Sequence, residues 1–145
     1  MYRMFKSVRL DHVVLRVDNP EKMIAFYLRL LDGVIERQLD VGLVQIRADQ
    51  ILLDLIPVDS ELGRTQGKGP NSGKNLDHFC LRVDPFDEQL IISRAIWAGG
   101  TPGDLSERYG ADGYGPSIYI EDPEGNVIEL KGAPVRQLSG ENGNC

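Results

Sequence analysis

Leu10–Asp18 reads LDHVVLRVD, and Leu76–Asp84 reads LDHFCLRVD. Only two of the nine positions differ, at Val13/Phe79 and Val14/Cys80, and the second copy starts 66 residues after the first, at 76 instead of 10. That offset is too long for the roughly 20–50-residue repeats of solenoids and propellers. It divides the 145-residue chain almost in half. A chain of this size builds one ordinary core and not two independent domains. The repeat therefore marks a duplicated half-domain whose copies share a core.

Outward from each copy, the sequence continues in the same order. A strand ends at Val17 or Val83, a turn carries Pro20 or Pro85, and an amphipathic segment runs to Gly33 or to Gly99-Gly100. In the first half, Asn19 as N-cap, Pro20 and Glu21 in the first turn and an end near Leu31 predict a helix. Met23, Phe26, Tyr27, Leu30 and Leu31 fall on one helical face, a core stripe. The second helix is expected over about Phe86 to Ala98, with Leu90, Ala95 and Trp97 as packing residues. Apolar or alternating runs predict strands at Val34–Arg37, Gly42–Arg47 and Ile51–Val58, then at Ser117–Glu121 and Asn126–Lys131, with a weak one near Asp104–Glu107. Asp122-Pro123-Glu124-Gly125 is a turn. The organisation read from these signals is a single domain over 8–132, with module one at about 8–58, a linker at 59–75 and module two at 76–132. A flexible tail follows at 133–145.

The chain has two histidines, His12 and His78, and both occupy the same position of the repeated strand. Side chains alternate along a strand, so His12 shares a face with Val14 and Arg16, and His78 with Cys80 and Arg82. Two half-units related by a pseudo-twofold axis are expected to turn those faces together and aim both imidazoles at one ion. The last strand of each module adds a single carboxylate in an apolar run, Asp54 in QILLDL and Glu129 in NVIEL. Burying a lone carboxylate is costly unless it is paired or bound to a cation. His12, His78, Glu129 and Asp54 are thus the candidate ligands, and this N/O set suits Zn, Ni, Co, Mn or Fe. Asp54, one methylene shorter, can instead orient a histidine. Asp11 and Asp77 alternate to the other face and read as strand-edge or surface groups.

Net charge is −6, and the basic residues are dispersed. Nucleic acid and anionic membrane surfaces are poor partners for such a chain. No apolar run approaches the roughly 20 residues of a membrane helix, and MYRMFKSVRLDH has no signal-peptide pattern. Cys80 in an apolar run and Cys145 at the last position make a poor disulfide pair. A cytoplasmic protein is the expectation.

These residues resemble the vicinal oxygen chelate superfamily, which includes glyoxalase I, extradiol dioxygenases, fosfomycin-resistance enzymes and bleomycin-binding proteins. The resemblance runs from about Val8 to Gly132. It is carried by LDHVVLRV, by the helix around IAFYLRLLDG, by LDHFCLRV and most strongly by GPSIYIEDPEGNVIEL. It implies an α+β fold in which two tandem βαβββ modules form a U-shaped mixed-sheet cleft, with the superfamily's ligand pattern falling on His12, Asp54, His78 and Glu129. It also implies one divalent metal, a small-molecule substrate that chelates it through neighbouring oxygens, and a homodimer. A metal-dependent lyase or isomerase of glyoxalase type is the leading expectation, with Asp54 or Glu129 as general base. A binding or resistance protein using the same cleft and an Fe(II) extradiol-type dioxygenase are the alternatives. Arg16 falls on the arginine that holds glutathione in glyoxalase I, whereas Asp54 stands where that enzyme usually has Glu. The loop from Arg108-Tyr109-Gly110 to Gly113-Tyr114-Gly115 is expected to cover the site, with Arg108, Tyr109 and Tyr114 touching substrate.

Overall fold

The computed structural model describes residues 9–65 and 76–135, together with Met4 and Lys6. The chain divides into two compact units, Met1–Gly69 and Pro70–Cys145. The first unit runs β1 (His12–Val17), α1 (Pro20–Leu31), β2 (Val34–Gln38), β3 (Val44–Ala48), β4 (Ile51–Pro57) and α2 (Glu61–Thr65). Asn19 Oδ1 accepts from the Lys22 backbone N–H at 3.1 Å, which starts α1. At its end Asp32 adopts a left-handed conformation and the Gly33 N–H reaches Leu28 O at 3.1 Å. Met23, Phe26, Tyr27 and Leu30 are buried as expected, while Leu31 is half-buried.

The strand order of this unit is β1-β4-β3-β2, with β1 parallel to β4 and the other pairs antiparallel. Leu15, Leu55 and Val44 form one cross-strand row, and Val13, Leu53 and Ile46 another, on the face that α1 covers. The opposite face carries His12, Val14 and Arg16 beside Leu52, Asp54 and Ile56. β2 is the last strand of its sheet and shifts register between Ile35 and Arg37.

The second unit runs β5 (Phe79–Arg82), α3 (Glu88–Ala98), β6 (Thr101–Pro102), β7 (Ser106–Gly110), β8 (Gly113–Glu121) and β9 (Val127–Lys131). Its sheet is ordered β5-β9-β8-β6, with β7 pairing the other half of β8 and β5 parallel to β9. Phe79, Ile118, Ile120, Ile128 and Leu130 make its buried face. The turn between β8 and β9 is held by Asp122, whose Oδ1 accepts from the N–H groups of Glu124 (2.8 Å) and Asn126 (3.0 Å). The first unit thus has the βαβββ order, the second has the same order with one further two-residue strand, β6, and the fold is of the mixed α+β class.

Four details differ from the sequence reading. Trp97 is 64% exposed. The reason is helical phase: Ile91, Ala95 and Ala98 lie on one face, the alanines are buried, and Trp97 falls about 100° round from Ala98. Leu90 is likewise exposed. The weak strand expected near Asp104–Glu107 begins at Ser106 and runs to Gly110 as β7, and a separate short β6 precedes it, both paired with β8. The linker begins with α2, where Ser60 Oγ accepts from the Gly63 N–H at 3.0 Å and donates to Pro57 O at 2.6 Å. Residues 66–75 of the linker and 136–145 of the tail lie outside the described residues. At the start of the tail, the Val135 N–H donates to Tyr114 O at 3.1 Å. No helix among the described residues is long and apolar enough to cross a membrane.

Phe26→Ala removes a fully buried ring and is expected to cost about 3–5 kcal/mol. Trp97→Ala is expected to change stability by no more than about 0.5 kcal/mol. Urea unfolding of the two variants beside wild type checks both; a Trp97→Ala loss as large as that of Phe26→Ala would place Trp97 in the packing.

Candidate metal and substrate site

In each unit the parallel strand pair sets the histidine strand beside the carboxylate strand. Val14 is in register with Asp54 and Asp54 with Gln45; Cys80 is in register with Glu129 and Glu129 with Tyr119. Asp54 and Glu129 therefore hold equivalent places, each diagonal to its histidine and on the same face. Both carboxylates are buried, at 5% and 6% exposure.

The second unit holds its carboxylate tightly. Ser117, fully buried on β8, donates from Oγ to Glu129 Oε1 at 2.6 Å. Arg108 donates from Nη1 to Ser117 O at 2.8 Å and to Ser117 Oγ at 3.1 Å, and its guanidinium lies 4.2 Å above the Tyr119 ring. Glu129 Oε2 stands 3.3 Å from His78 Nε2. The edge of the His78 ring meets Tyr119, with centroids 5.1 Å apart. An imidazole nitrogen and a carboxylate oxygen are adjacent here, each anchored from behind.

The first unit is looser. Asp54 accepts from Gln45 Nε2 through both oxygens, at 3.2 and 3.1 Å. His12 is half exposed. Its pKa is raised, first by a hydrogen bond to Asp11, with further help from the charges of Asp11 and Asp54 and some opposition from desolvation.

The two histidines share a support that the sequence reading passed over. Asp11 Oδ1 lies 2.7 Å from His12 Nδ1, and Asp77 Oδ2 lies 2.6 Å from His78 Nδ1. A carboxylate on Nδ1 fixes that nitrogen as the protonated one and leaves Nε2 as the lone-pair donor, the arrangement usual behind metal-bound histidine. The signal was present in the sequence: both aspartates immediately precede the histidines and were duplicated with them. Among the described residues of either unit, no three His, Cys, Asp or Glu side chains gather into a metal centre. Each unit carries one imidazole and one buried carboxylate, donor types that fit a borderline divalent ion.

A cavity of about 340 Å³ opens in the second unit, lined by His78, Cys80, Arg82, Tyr109, Glu129 and Lys131 together with the turn Gly110–Asp112. The segment expected as a loop is a hairpin. Gly110 pairs with Gly113, so only Ala111 and Asp112 form the turn, and Arg108 to Gly110 and Gly113 to Gly115 are strand. Of its three candidate contacts, Tyr109 lines the cavity, Arg108 is spent on Ser117 and Tyr119, and Tyr114 packs against Tyr109 with centroids 5.0 Å apart. Arg16 reaches Gly63 O at 3.1 Å and so ties β1 to α2. Arg82 pairs with Asp112 at the turn. Cys80 lies on the cavity wall, where desolvation and the nearby Glu129 charge push its thiol up to about 11 against a smaller pull from Lys131.

Two predictions follow from this geometry. In a double-mutant cycle between Ser117→Ala and Glu129→Gln, the charge-assisted bond is expected to give a coupling of about 1–3 kcal/mol in denaturant unfolding of metal-stripped protein. Zero coupling would mean that Ser117 does not hold the carboxylate. Because its thiol is protonated at neutral pH, Cys80 of metal-stripped protein is expected to react with iodoacetamide more slowly than free cysteine at pH 8. Its rate should rise until pH reaches about 11, which peptide mass spectrometry across pH reads directly.

The sequence matches the family model for the Glyoxalase/Bleomycin resistance protein/Dioxygenase superfamily over residues 9–130. No curated protein matches it. Among solved structures, an integron cassette protein from the mobile metagenome of V. cholerae is similar at 24% identity and a TM-score of 0.70, covering 90% of this chain and 98% of that one. Lactoylglutathione lyase from Agrobacterium tumefaciens is similar at 19% identity and 0.62, covering 88% and 96%. The fosfomycin resistance protein FosX from Mesorhizobium loti is similar at 15% and 0.61, covering 91% and 96%. At these identities the structures share a fold with this chain.

Proposed function

The chain belongs to the glyoxalase/bleomycin resistance protein/dioxygenase superfamily, and from that premise we propose that it is a metal-dependent enzyme of glyoxalase type. In this reading it is a lyase or isomerase acting on a small metabolite or electrophile that presents neighbouring oxygens. The observation that carries the reading is the duplicated histidine, with Nδ1 held by the preceding aspartate in both copies and Nε2 beside Glu129 in the second. His12, His78 and Glu129 would hold a divalent ion, one of Zn, Ni, Co, Mn or Fe. Asp54 would serve either as a fourth ligand or, given the two bonds from Gln45, as an orienting group. When bound, the ion would supply Lewis-acid stabilisation of negative charge developing on a chelated oxygen.

The protein's own groups do the rest. Ser117, itself held by Arg108, ties back one oxygen of Glu129; the other stands beside His78 Nε2, and Glu129, which lines the cavity, would take a proton from a bound molecule. Tyr109 closes one side of that cavity. The double engagement of Asp54 favours a second reading in which two histidines and Glu129 suffice, as in an Fe(II) extradiol-type dioxygenase or a fosfomycin-resistance enzyme. A cytoplasmic homodimer completes the proposal.

The test is metal content of dialysed, reloaded protein beside His12→Ala, His78→Ala, Glu129→Ala and Asp54→Asn. About one ion per chain is expected, lost in the first three variants and weakened roughly 10–100-fold in Asp54→Asn if it orients a ligand. Metal-dependent turnover of a hemithioacetal supports the leading reading, whereas turnover of an epoxide or dioxygen uptake with a catechol supports the second. Ligand binding that survives chelation, in a folded protein that takes up no metal, would identify a binding or resistance protein instead.

A further inference from the structure

Lys131 is a lysine only 5% exposed, on β9 two residues beyond Glu129 and on the same face. Its Nζ donates to Gly113 O at 2.8 Å. Among the described residues no carboxylate lies within 4 Å of it, and Arg82, its cross-strand neighbour, is engaged by Asp112. An ammonium group has three donors, and burying its charge without a counter-charge is expensive.

The chain has built room for that expense. In the first unit the equivalent place, in register with Arg16, is the buried Ile56. In the second it is Lys131, and the hairpin sets two glycines, Gly110 and Gly115, against it. A Cβ on Gly110 would stand 3.0 Å from Lys131 Cε, and one on Gly115 would stand 3.0 Å from Nζ. Lys131 packs against these glycines and, with His78 and Glu129, is among the residues that line the cavity.

We propose that Lys131 is the anchor for an anionic oxygen of the substrate, a small carboxylate or phosphate-type group held in the second-unit cavity beside His78 and Glu129. The substrate class becomes a small oxyanion that also carries the chelating oxygens, and in naming it the proposal rests on the metal-enzyme reading above. Anion capture by Lys131 does not require the metal. The cavity is within the size range of small-molecule sites.

The experiment uses metal-stripped full-length protein, ¹⁵N- and ¹³C-labelled, titrated separately with inorganic phosphate and with acetate against chloride at matched ionic strength. The expected result is a saturable shift of the Lys131 Nζ and Cε resonances and of the Gly110–Gly113 amides with at least one oxyanion. The arm that saturates first identifies the phosphate or the carboxylate as the better fit. Lys131→Met is expected to weaken that binding about tenfold or more, and Lys131→Arg to retain part of it. Should Lys131→Met fail to fold, the wild-type Nζ titration decides alone. No saturable shift with either oxyanion, the same shift with chloride, or full affinity in folded Lys131→Met would overturn the proposal and leave Lys131 as a pin for the hairpin. Metal uptake is measured on separate samples, so a protein that captures the anion yet takes no metal sinks the metal reading alone.

Discussion

The parallel pairing of the first and last strands of each unit is the constraint on which the site depends. It sets β1 against β4 and β5 against β9. Register in a half-buried sheet is strongly specified, because a slip of one residue turns every side chain to the other face. With Leu15 and Leu55 fixed toward α1 in the first unit, His12 and Asp54 must face the other way. Phe79 and Ile128 fix His78 and Glu129 in the second. Ordinary core packing thus aims the candidate groups: strands carry His12, Asp54 and Glu129, and His78 immediately precedes β5.

Much of this was legible in the sequence. The nine-residue repeat marked the duplication, the Asn19-Pro20 start and the apolar stripe marked α1, and the lone carboxylates in apolar strands marked Asp54 and Glu129. What escaped was of three physical kinds. Trp97 and Leu90 were read as packing because apolar character was weighed without helical phase, and the alanines settle that phase. The hairpin at Arg108–Gly115 was read as a loop because its glycines suggest flexibility, while here they make room for Lys131. Asp11 and Asp77 were set aside by strict alternation of strand faces, yet both lie just ahead of their strands and each bonds the histidine that follows. Ser117, Gln45 and Arg108 act through cross-strand neighbours, and register across a sheet is not readable from local pattern.

The two units have diverged around the same frame. Where the first has Val14, Asp54, Gln45 and Ile56, the second has Cys80, Glu129, Tyr119 and Lys131. The first copy is plainer and its carboxylate is held by a neutral amide. The second concentrates a fixed carboxylate, an aromatic ring between two cationic or cation-forming groups, and a buried ammonium. A duplicated module can divide labour in this way because each copy keeps its own hydrophobic face while the other face changes.

The register shift in β2 also bears on how the protein behaves in a crowded solution. An edge strand offers unpaired backbone groups to any other strand, and one with exposed Val34 and Ile35 is an open invitation to add more chain. The irregularity falls between Ile35 and Arg37, and Glu36 is held there by Arg47 at 3.1 Å. A kink and a charge at the middle of a five-residue strand interrupt any straight ladder, so the first sheet can end at β2.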